Sequence, residues 1–304
     1  MLLKNKKMNR NLVTYLFVCL FVTFLHSRAE NGKIDLEKLT QKAQMGDAQA
    51  QYELGRVYYD GREVNRDLEV AFGWLLKAAK QGHADAQYNT GRCYFHGRGV
   101  PRDKKIGLSW FYEAALQDHQ QATYTLGDMY FLGQGIEINH AEAIKWFSKS
   151  AARGDKGAQF KIARILEIGD RSVRNPLKAL EEYKKSASRG NFYAEFVVGR
   201  FYEEGIVVPK DIARAIQSYK AAAPHVEEAR AKLAKLYSQG NGVQPDLEEA
   251  YKWLETVKVI ANQDKELKQI KIELESALSP EQRKAAIAKI EAYIKQHNIQ
   301  QDEL

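Results

Sequence analysis

The chain has 304 residues, of which 44% are hydrophobic and 28% are charged, and a formal net charge of +7 at neutral pH. Residues 1–29 contain five basic residues and no acidic residue, so the remainder has 41 basic and 39 acidic residues and a net charge of +2. Because this remainder is close to neutral, it lacks the strong positive charge of nucleic-acid-binding domains, and we expect no nucleic-acid partner.

The N-terminus has the pattern of a secretory leader. Basic residues in the segment 4–10 precede an uncharged apolar run, residues 12–25. This run is shorter than the about 20 residues of a membrane-spanning helix, and Ser27 and Ala29 have the spacing that signal peptidases prefer. Residues 1–29 are therefore predicted to be a cleaved signal peptide, with an uncleaved anchor as the alternative. Cleavage would leave a periplasmic or secreted protein without a stable membrane span.

The rest of the chain contains an internal repeat. Small and aromatic residues recur in one register every 36 residues, with a step of 35 before the last member. Such a pattern is typical of a tandem array. The predicted units are 46–81, 82–117, 118–153, 154–189, 190–224 and 225–258. Two of the columns are Tyr58, Tyr94, Tyr130, Leu166, Tyr202 and Tyr237, and Gly55, Gly91, Gly127, Ala163, Gly199 and Ala234.

Each unit is predicted to form two helices. In the first unit, Asp47 caps a helix that continues to about Tyr59, and Gly61 ends it. Gly82 ends the second helix in a left-handed conformation, and the apolar stripe of that helix is Ala71, Trp74, Leu75, Ala78 and Ala79. Because one helical hairpin cannot bury its apolar face alone, neighbouring units must stack into an all-α solenoid.

Additional helices are expected to cap both ends of the array, as solenoids require. Residues 30–45 are predicted to form an N-terminal capping helix, and residues 259–297 to form C-terminal capping helices. The last helix should begin at the segment 279–282, Ser-Pro-Glu-Gln, which supplies a cap, a proline at the first helical position and a capping-box partner. Residues 298–304 are left as a tail.

The repeats resemble the Sel-1-like repeat family, a relative of the tetratricopeptide repeats. The resemblance is carried by residues 86–94 (AQYNTGRCY), 97–100 (GRGV) and 141–151 (AEAIKWFSKSA), and it extends over residues 46–258. It implies a right-handed superhelix of six helix-turn-helix repeats and a non-enzymatic scaffold that binds other proteins. Exported bacterial relatives suggest a role in envelope assembly, host interaction or virulence.

The fourth and fifth units depart most from the pattern. In unit four, Ala163 replaces Gly, Leu166 replaces Tyr and Glu182 replaces Trp. In unit five, Ser218 occupies the Trp position, and Pro224 accompanies a one-residue deletion. We therefore expect the least regular stacking between residues 160 and 226.

The sequence contains no pattern that points to catalysis. The seven histidines are scattered, and no zinc-binding His-Glu-x-x-His, nucleophile-elbow Gly-x-Ser-x-Gly or phosphate-binding loop occurs. We therefore predict no enzymatic activity, no cofactor and no metal site. A cell-wall hydrolase, or a regulator of one, is the alternative that a pair of acids in a cleft would support.

Partner binding is the positive prediction. By analogy with tetratricopeptide arrays, the first helix of each unit should line the concave face. Two of its columns would face inward: an aromatic column, Tyr52, Tyr88, Tyr124, Phe160, Phe196 and Ala231, and a cationic column, Arg56, Arg92, Asp128, Arg164, Arg200 and Lys235. An aromatic row beside a cationic row predicts a groove for an extended acidic peptide of a protein partner. Because Asp128 interrupts the cations, two basic patches are favoured over one continuous groove. As alternatives, the rings pack between repeats, and the arginines are solvated or pair with neighbouring acids.

The last four residues, Gln-Asp-Glu-Leu, resemble the Lys-Asp-Glu-Leu class of retrieval signals of the endoplasmic reticulum. In a eukaryotic source the protein would then be a lumenal adaptor. The compact array, the short leader and the cap at residues 279–282 favour the other interpretation, a polar tail in a bacterial protein.

Overall fold

The computed structural model describes residues 35–257 and 264–297, and these contain fifteen α-helices and no strand. The predicted signal peptide and the predicted tail lie outside the described residues. Helix α1 is Leu36–Gln44. Six pairs of helices follow: α2 Ala48–Asp60 and α3 Leu68–Lys80; α4 Ala84–His96 and α5 Lys104–Leu116; α6 Gln120–Leu132 and α7 His140–Ala152; α8 Lys156–Ile168 and α9 Pro176–Ser188; α10 Phe192–Glu204 and α11 Ile212–Ala222; α12 Glu227–Gln239 and α13 Leu247–Glu255. The last two helices are α14 Lys265–Ala277 and α15 Pro280–His297. The predicted all-α fold of six helix-turn-helix units with flanking helices is confirmed.

The chain divides into two compact units of several helix pairs each, with the division between His119 and Gln120, and we call these the first unit and the second unit. The first unit contains α1 to α5, and the second contains α6 to α15. Each unit has its own buried apolar residues: α1 covers the first helix pair through Leu39 and Ala43, whereas one large cluster extends from Ala143 to Ala286 in the second unit.

Local capping signals set the helix ends. The side chain of Asp47 accepts a hydrogen bond from the backbone N–H of Ala50 at 2.8 Å, which satisfies one of the free amide groups at the start of α2. Gly61 ends α2 with φ of +72° and donates its N–H to the carbonyl of Val57. Both ends lie where the sequence predicted them.

Small residues allow the two helices of a repeat to approach closely. A Cβ added to Gly55 would lie 2.8 Å from Cγ of Leu75 and 3.1 Å from the carbonyl oxygen of Ala71. In the fifth repeat, a Cβ on Gly199 would lie 2.6 Å from the ring of Tyr219. The second helix therefore packs its large side chain directly over the first helix.

A glycine in the loop of the second repeat contacts the preceding repeat. Gly99 has φ of +71°, and a Cβ at this position would lie 1.9 Å from the carbonyl oxygen of Leu68, the first residue of α3. The Gly-x-Gly loop is therefore a structural contact between neighbouring repeats.

The fourth repeat departs from the pattern, as expected, through buried polar groups. Glu182 occupies the Trp position and is 7% exposed. It forms an ion pair with Lys185 at 2.7 Å and accepts a hydrogen bond from the side-chain amide of Gln159. This local network satisfies a carboxylate that would otherwise be costly to bury.

The C-terminal helices cover the last repeat. Leu267, Ile270 and Leu274 of α14 are buried. At the start of α15, the N–H of Ser279 donates to Oε1 of Gln282 at 3.0 Å, and the N–H of Gln282 donates to Oγ of Ser279 at 3.3 Å. This is the capping box that the sequence predicted.

Candidate partner-binding face

The aromatic column packs between helices. In the first unit, Tyr52 stacks on His83 with ring centroids 4.6 Å apart, and Tyr88 stacks on His119 at 4.7 Å. Each histidine directly precedes the next helix in the chain, and His83 caps that helix by accepting a hydrogen bond from the N–H of Ala86. The tyrosines are half-buried, so much of each ring stabilises the stacking of repeats.

The same packing continues in the second unit. The rings of Tyr124 and Phe147 meet edge to face at 5.2 Å, and those of Phe160 and Tyr183 do so at 5.4 Å. Burial raises the pKa of Tyr124 to about 12, so its hydroxyl stays uncharged at neutral pH. Tyr124 and Phe160 are half-buried, whereas Phe147 and Tyr183 are buried.

Two cations of the first unit remain available on the surface. Arg56 is half-exposed, lies 3.9 Å from Asp60, and has its guanidinium 5.9 Å from the ring centre of Tyr52. The guanidinium of Arg92 is likewise 5.9 Å from the ring centre of Tyr88. Within the described residues Arg92 has no carboxylate partner. The exposed ion pair of Arg56 contributes little stability, so Arg56 as well as the unpaired Arg92 can bind an external carboxylate.

The cations of the second unit are mostly paired with carboxylates of neighbouring helices. Asp128, which interrupts the cationic column, pairs with Lys161 at 2.7 Å. Arg200 pairs with Glu167, and Lys235 pairs with Asp264 at 2.7 Å and with Glu266. Arg164 is exposed and has no ion pair among the described residues. Pairing of the arginines with neighbouring acids was one of the alternatives from the sequence, but the partners Glu167, Asp264 and Glu266, which neutralise Arg200 and Lys235, were not predicted.

A second set of contacts, in which tyrosine hydroxyls bond to glutamates, was also not predicted from the sequence. The hydroxyl of the buried Tyr183 donates to Glu167 at 2.7 Å, and the hydroxyl of the buried Tyr219 donates to Glu203. Glu203 in turn pairs with Lys232 at 2.9 Å. The sequence carries a signal for this arrangement. Tyr183 and Tyr219 occupy the same position of the fourth and fifth repeats, and these are the two repeats with tyrosine at that position and the two with glutamate 16 residues earlier.

A groove of about 550 Å³ lies in the second unit along α12, and we call it the C-terminal groove. Apolar side chains and both partners of three ion pairs line it. The apolar lining includes Phe196, Ala231 and Leu236, and the charged lining is Glu203, Lys210, Glu228, Lys232, Lys235, Asp264 and Glu266.

No group of three or more His, Cys, Asp or Glu side chains in the described parts of the chain could hold a metal ion. The thiol of Cys93 is buried, and burial raises its pKa to about 11. Over residues 35–257 and 264–297, no helix has the length and apolar character needed to cross a bilayer.

The family follows from a direct match. The Sel1 repeat model matches more than half of the chain, at residues 48–83, 84–119, 120–155, 157–191, 192–223 and 227–256. The chain belongs to the Sel1 repeat family. Each matched Sel1 repeat corresponds to one of the six helix pairs, and the aromatic and cationic columns recur once in each repeat.

Three similar proteins are bacterial. The secretory immunoglobulin A-binding protein EsiB of Escherichia coli O6:H1 (strain CFT073) is 39% identical over 71 residues, which are 23% of this chain and 14% of EsiB. A protective antigen of uropathogenic E. coli with an SLR fold has a TM-score of 0.66 and 26% identity over 86% of this chain and 56% of that one. A Sel1 repeat protein of Oxalobacter formigenes has a TM-score of 0.58 and 28% identity over 73% of this chain and 98% of that one. The Sel1 repeat assignment and the α-solenoid fold class are thereby confirmed, although the match spans only about one seventh of the length of EsiB.

Proposed function

We propose that the protein is a non-enzymatic scaffold that is exported from the cytoplasm and binds other proteins through its Sel1 repeats. Support comes from the first helices, which in five of the six repeats present a ring, and in five a cation, at the same two positions. Repeat arrays of this kind offer an extended surface, because each repeat contacts only its neighbours and the outer positions stay accessible.

Export and a role at the envelope or in host interaction are part of the proposal. Export rests on the leader pattern of residues 1–29. EsiB is a protein that binds secretory immunoglobulin A, and the similar antigen comes from uropathogenic strains, which favours partners outside the cytoplasm. Fractionation of cells that produce the full chain, or the chain without residues 1–29, tests export directly. Cytoplasmic location of the full chain would contradict it.

We place the contact with an acidic partner segment on the first unit. Arg56 and Arg92 lie on successive first helices, and each guanidinium lies beside a half-exposed tyrosine ring. A guanidinium can hold a carboxylate through two parallel hydrogen bonds, while the ring packs against the neighbouring side chain. Arg200 and Lys235 contribute less, because carboxylates of this chain already hold them.

Crosslinking in the producing cells followed by mass spectrometry tests this surface. The variant carries Arg56→Glu and Arg92→Glu, and the matched control carries Arg171→Glu and Arg174→Glu, two exposed arginines in a loop of the second unit. We expect the first variant to lose partners that wild type and control retain, with unchanged helix content by circular dichroism. Identical partners for both variants would show that the arginine surface is wrong, and the absence of any partner would contradict the scaffold.

A further inference from the structure

The aromatic column lacks a ring at its last position. Five repeats have tyrosine or phenylalanine there, whereas the sixth has Ala231. In the second repeat the ring of Tyr88 lies against Phe111 of its own second helix and His119 before the next first helix. By the same register, a ring at position 231 would lie beside Leu254, the residue of α13 that corresponds to Phe111.

The C-terminal groove borders the position of the missing ring, because Ala231 lines it. Along α12 the lining residues Glu228, Ala231, Lys235 and Gln239 follow one another at steps of three or four, so they share one face of the helix. The eleven residue steps from Glu228 to Gln239 correspond to about 16 Å of helix, which is the length of about five extended residues. The groove therefore fits a short extended segment with one large apolar side chain.

The charged residues of the groove indicate which type of residue should be adjacent to that apolar side chain in the bound segment. Lys232 is held by Glu203 at 2.9 Å, and Lys235 is held between Asp264 and Glu266. Glu228 lies one helical turn before Ala231 and has no ion pair among the described residues. Four carboxylates and three ammonium groups line the groove, and Lys210 is the third of these ammonium groups, so the lining has a net charge of −1 and Glu228 is a carboxylate without an ion pair in the described part of the chain. The groove therefore favours a cation.

Building on the proposed function, we infer that the C-terminal groove binds an extended segment of a partner protein. An aromatic side chain of that segment occupies the space beside Ala231, and an adjacent lysine or arginine contacts Glu228. A buried aromatic anchor with a polar surround is the usual form of a binding hot spot. The requirement for a cation separates this site from the surface of Arg56 and Arg92, which takes an acidic segment.

The test uses a fluorescein-labelled Gly-Ser peptide with a central Lys-Trp-Lys segment, titrated with the purified full chain and followed by fluorescence anisotropy. Ala231→Phe fills the groove with a residue type already present at this position in two other repeats, Phe160 and Phe196. Ala152→Phe places the same side chain on an exposed site of α7 as the matched control. We expect Ala231→Phe, and a probe with Ala in place of Trp, to weaken binding roughly tenfold, with Ala152→Phe unchanged. A probe with Glu in place of both lysines should also bind more weakly.

Three outcomes would overturn the inference. They are the absence of saturable binding, equal affinity for wild type and Ala231→Phe, and equal or tighter binding of the glutamate probe. A change of sedimentation coefficient in Ala231→Phe would identify a second copy of this chain as the occupant and would also overturn it. Helix content and the urea midpoint show that each variant is folded. Partner loss in the Arg56 and Arg92 variant is measured separately, so failure of the groove is distinguishable from failure of the scaffold.

Discussion

Replacing Gly99 with alanine tests the contact between the first two repeats. The residue has φ of +71°, and a Cβ would lie 1.9 Å from the carbonyl oxygen of Leu68. A non-glycine residue in this left-handed conformation costs about 1 kcal/mol. Since Cβ atoms stay about 3.0 Å or more from other atoms, the loop or the start of α3 must move by more than 1 Å. We expect this displacement to add about 1–3 kcal/mol, as overpacking does.

The matched control is Gly82→Ala. Gly82 also has a positive φ, +87°, but a Cβ there would meet no atom within 4 Å. We therefore expect this variant to lose only about 1 kcal/mol, against roughly 2–4 kcal/mol for Gly99→Ala. Urea unfolding followed by circular dichroism and by tryptophan fluorescence measures both losses, and the two signals show whether the array unfolds in one step. Equal losses for the two variants would refute the contact between the repeats.

Two further predictions concern buried groups. Tyr183→Phe removes the hydrogen bond to Glu167 but keeps a ring that the third repeat already has in Phe147, so we expect a loss of about 1 kcal/mol in the free energy of urea unfolding. The control, Tyr193→Phe at an exposed position, should stay within about 0.5 kcal/mol of wild type. Equal stability of all three proteins would contradict the hydrogen bond. The thiol of Cys93 is 2% exposed and its pKa is raised to about 11, so a maleimide at pH 8 should label it quickly only after unfolding in urea. Rapid labelling of the native protein would be inconsistent with this burial.

Helix pairs and their ends could be predicted because their signals are local. Asp47 and Gly61 each act on backbone groups within four residues, and the 36-residue period then transfers the same assignment to every repeat. The hydrogen bond between Tyr183 and Glu167 was not predicted, because it joins two helices and depends on how they are rotated against each other. Only comparison of two columns, rather than one column at a time, would have suggested it.

The candidate site was less predictable than the fold for a similar reason. The cationic column was predicted from one position of each repeat, but the partner of Arg200 lies 33 residues earlier, in the preceding first helix. The partners of Lys235 are Asp264, which caps α14, and Glu266 in its first turn, and both are outside the repeats. Whether a cation of this column is free to bind a partner therefore depends on residues in neighbouring columns and in the C-terminal capping helix. A single column of residues does not contain that information.

This difference decides which substitutions can report on binding. Removing Arg200 would leave the carboxylate of Glu167 without its cation, so stability and any binding would change together. Arg92 lies over its own tyrosine and has no carboxylate partner in the described part of the chain, so its substitution changes the surface charge and little else. A loss of partner without a loss of stability is therefore interpretable at Arg92 and at the weakly paired Arg56. For this reason the binding test belongs on the first unit, whereas the same substitutions in the second unit would mix two effects.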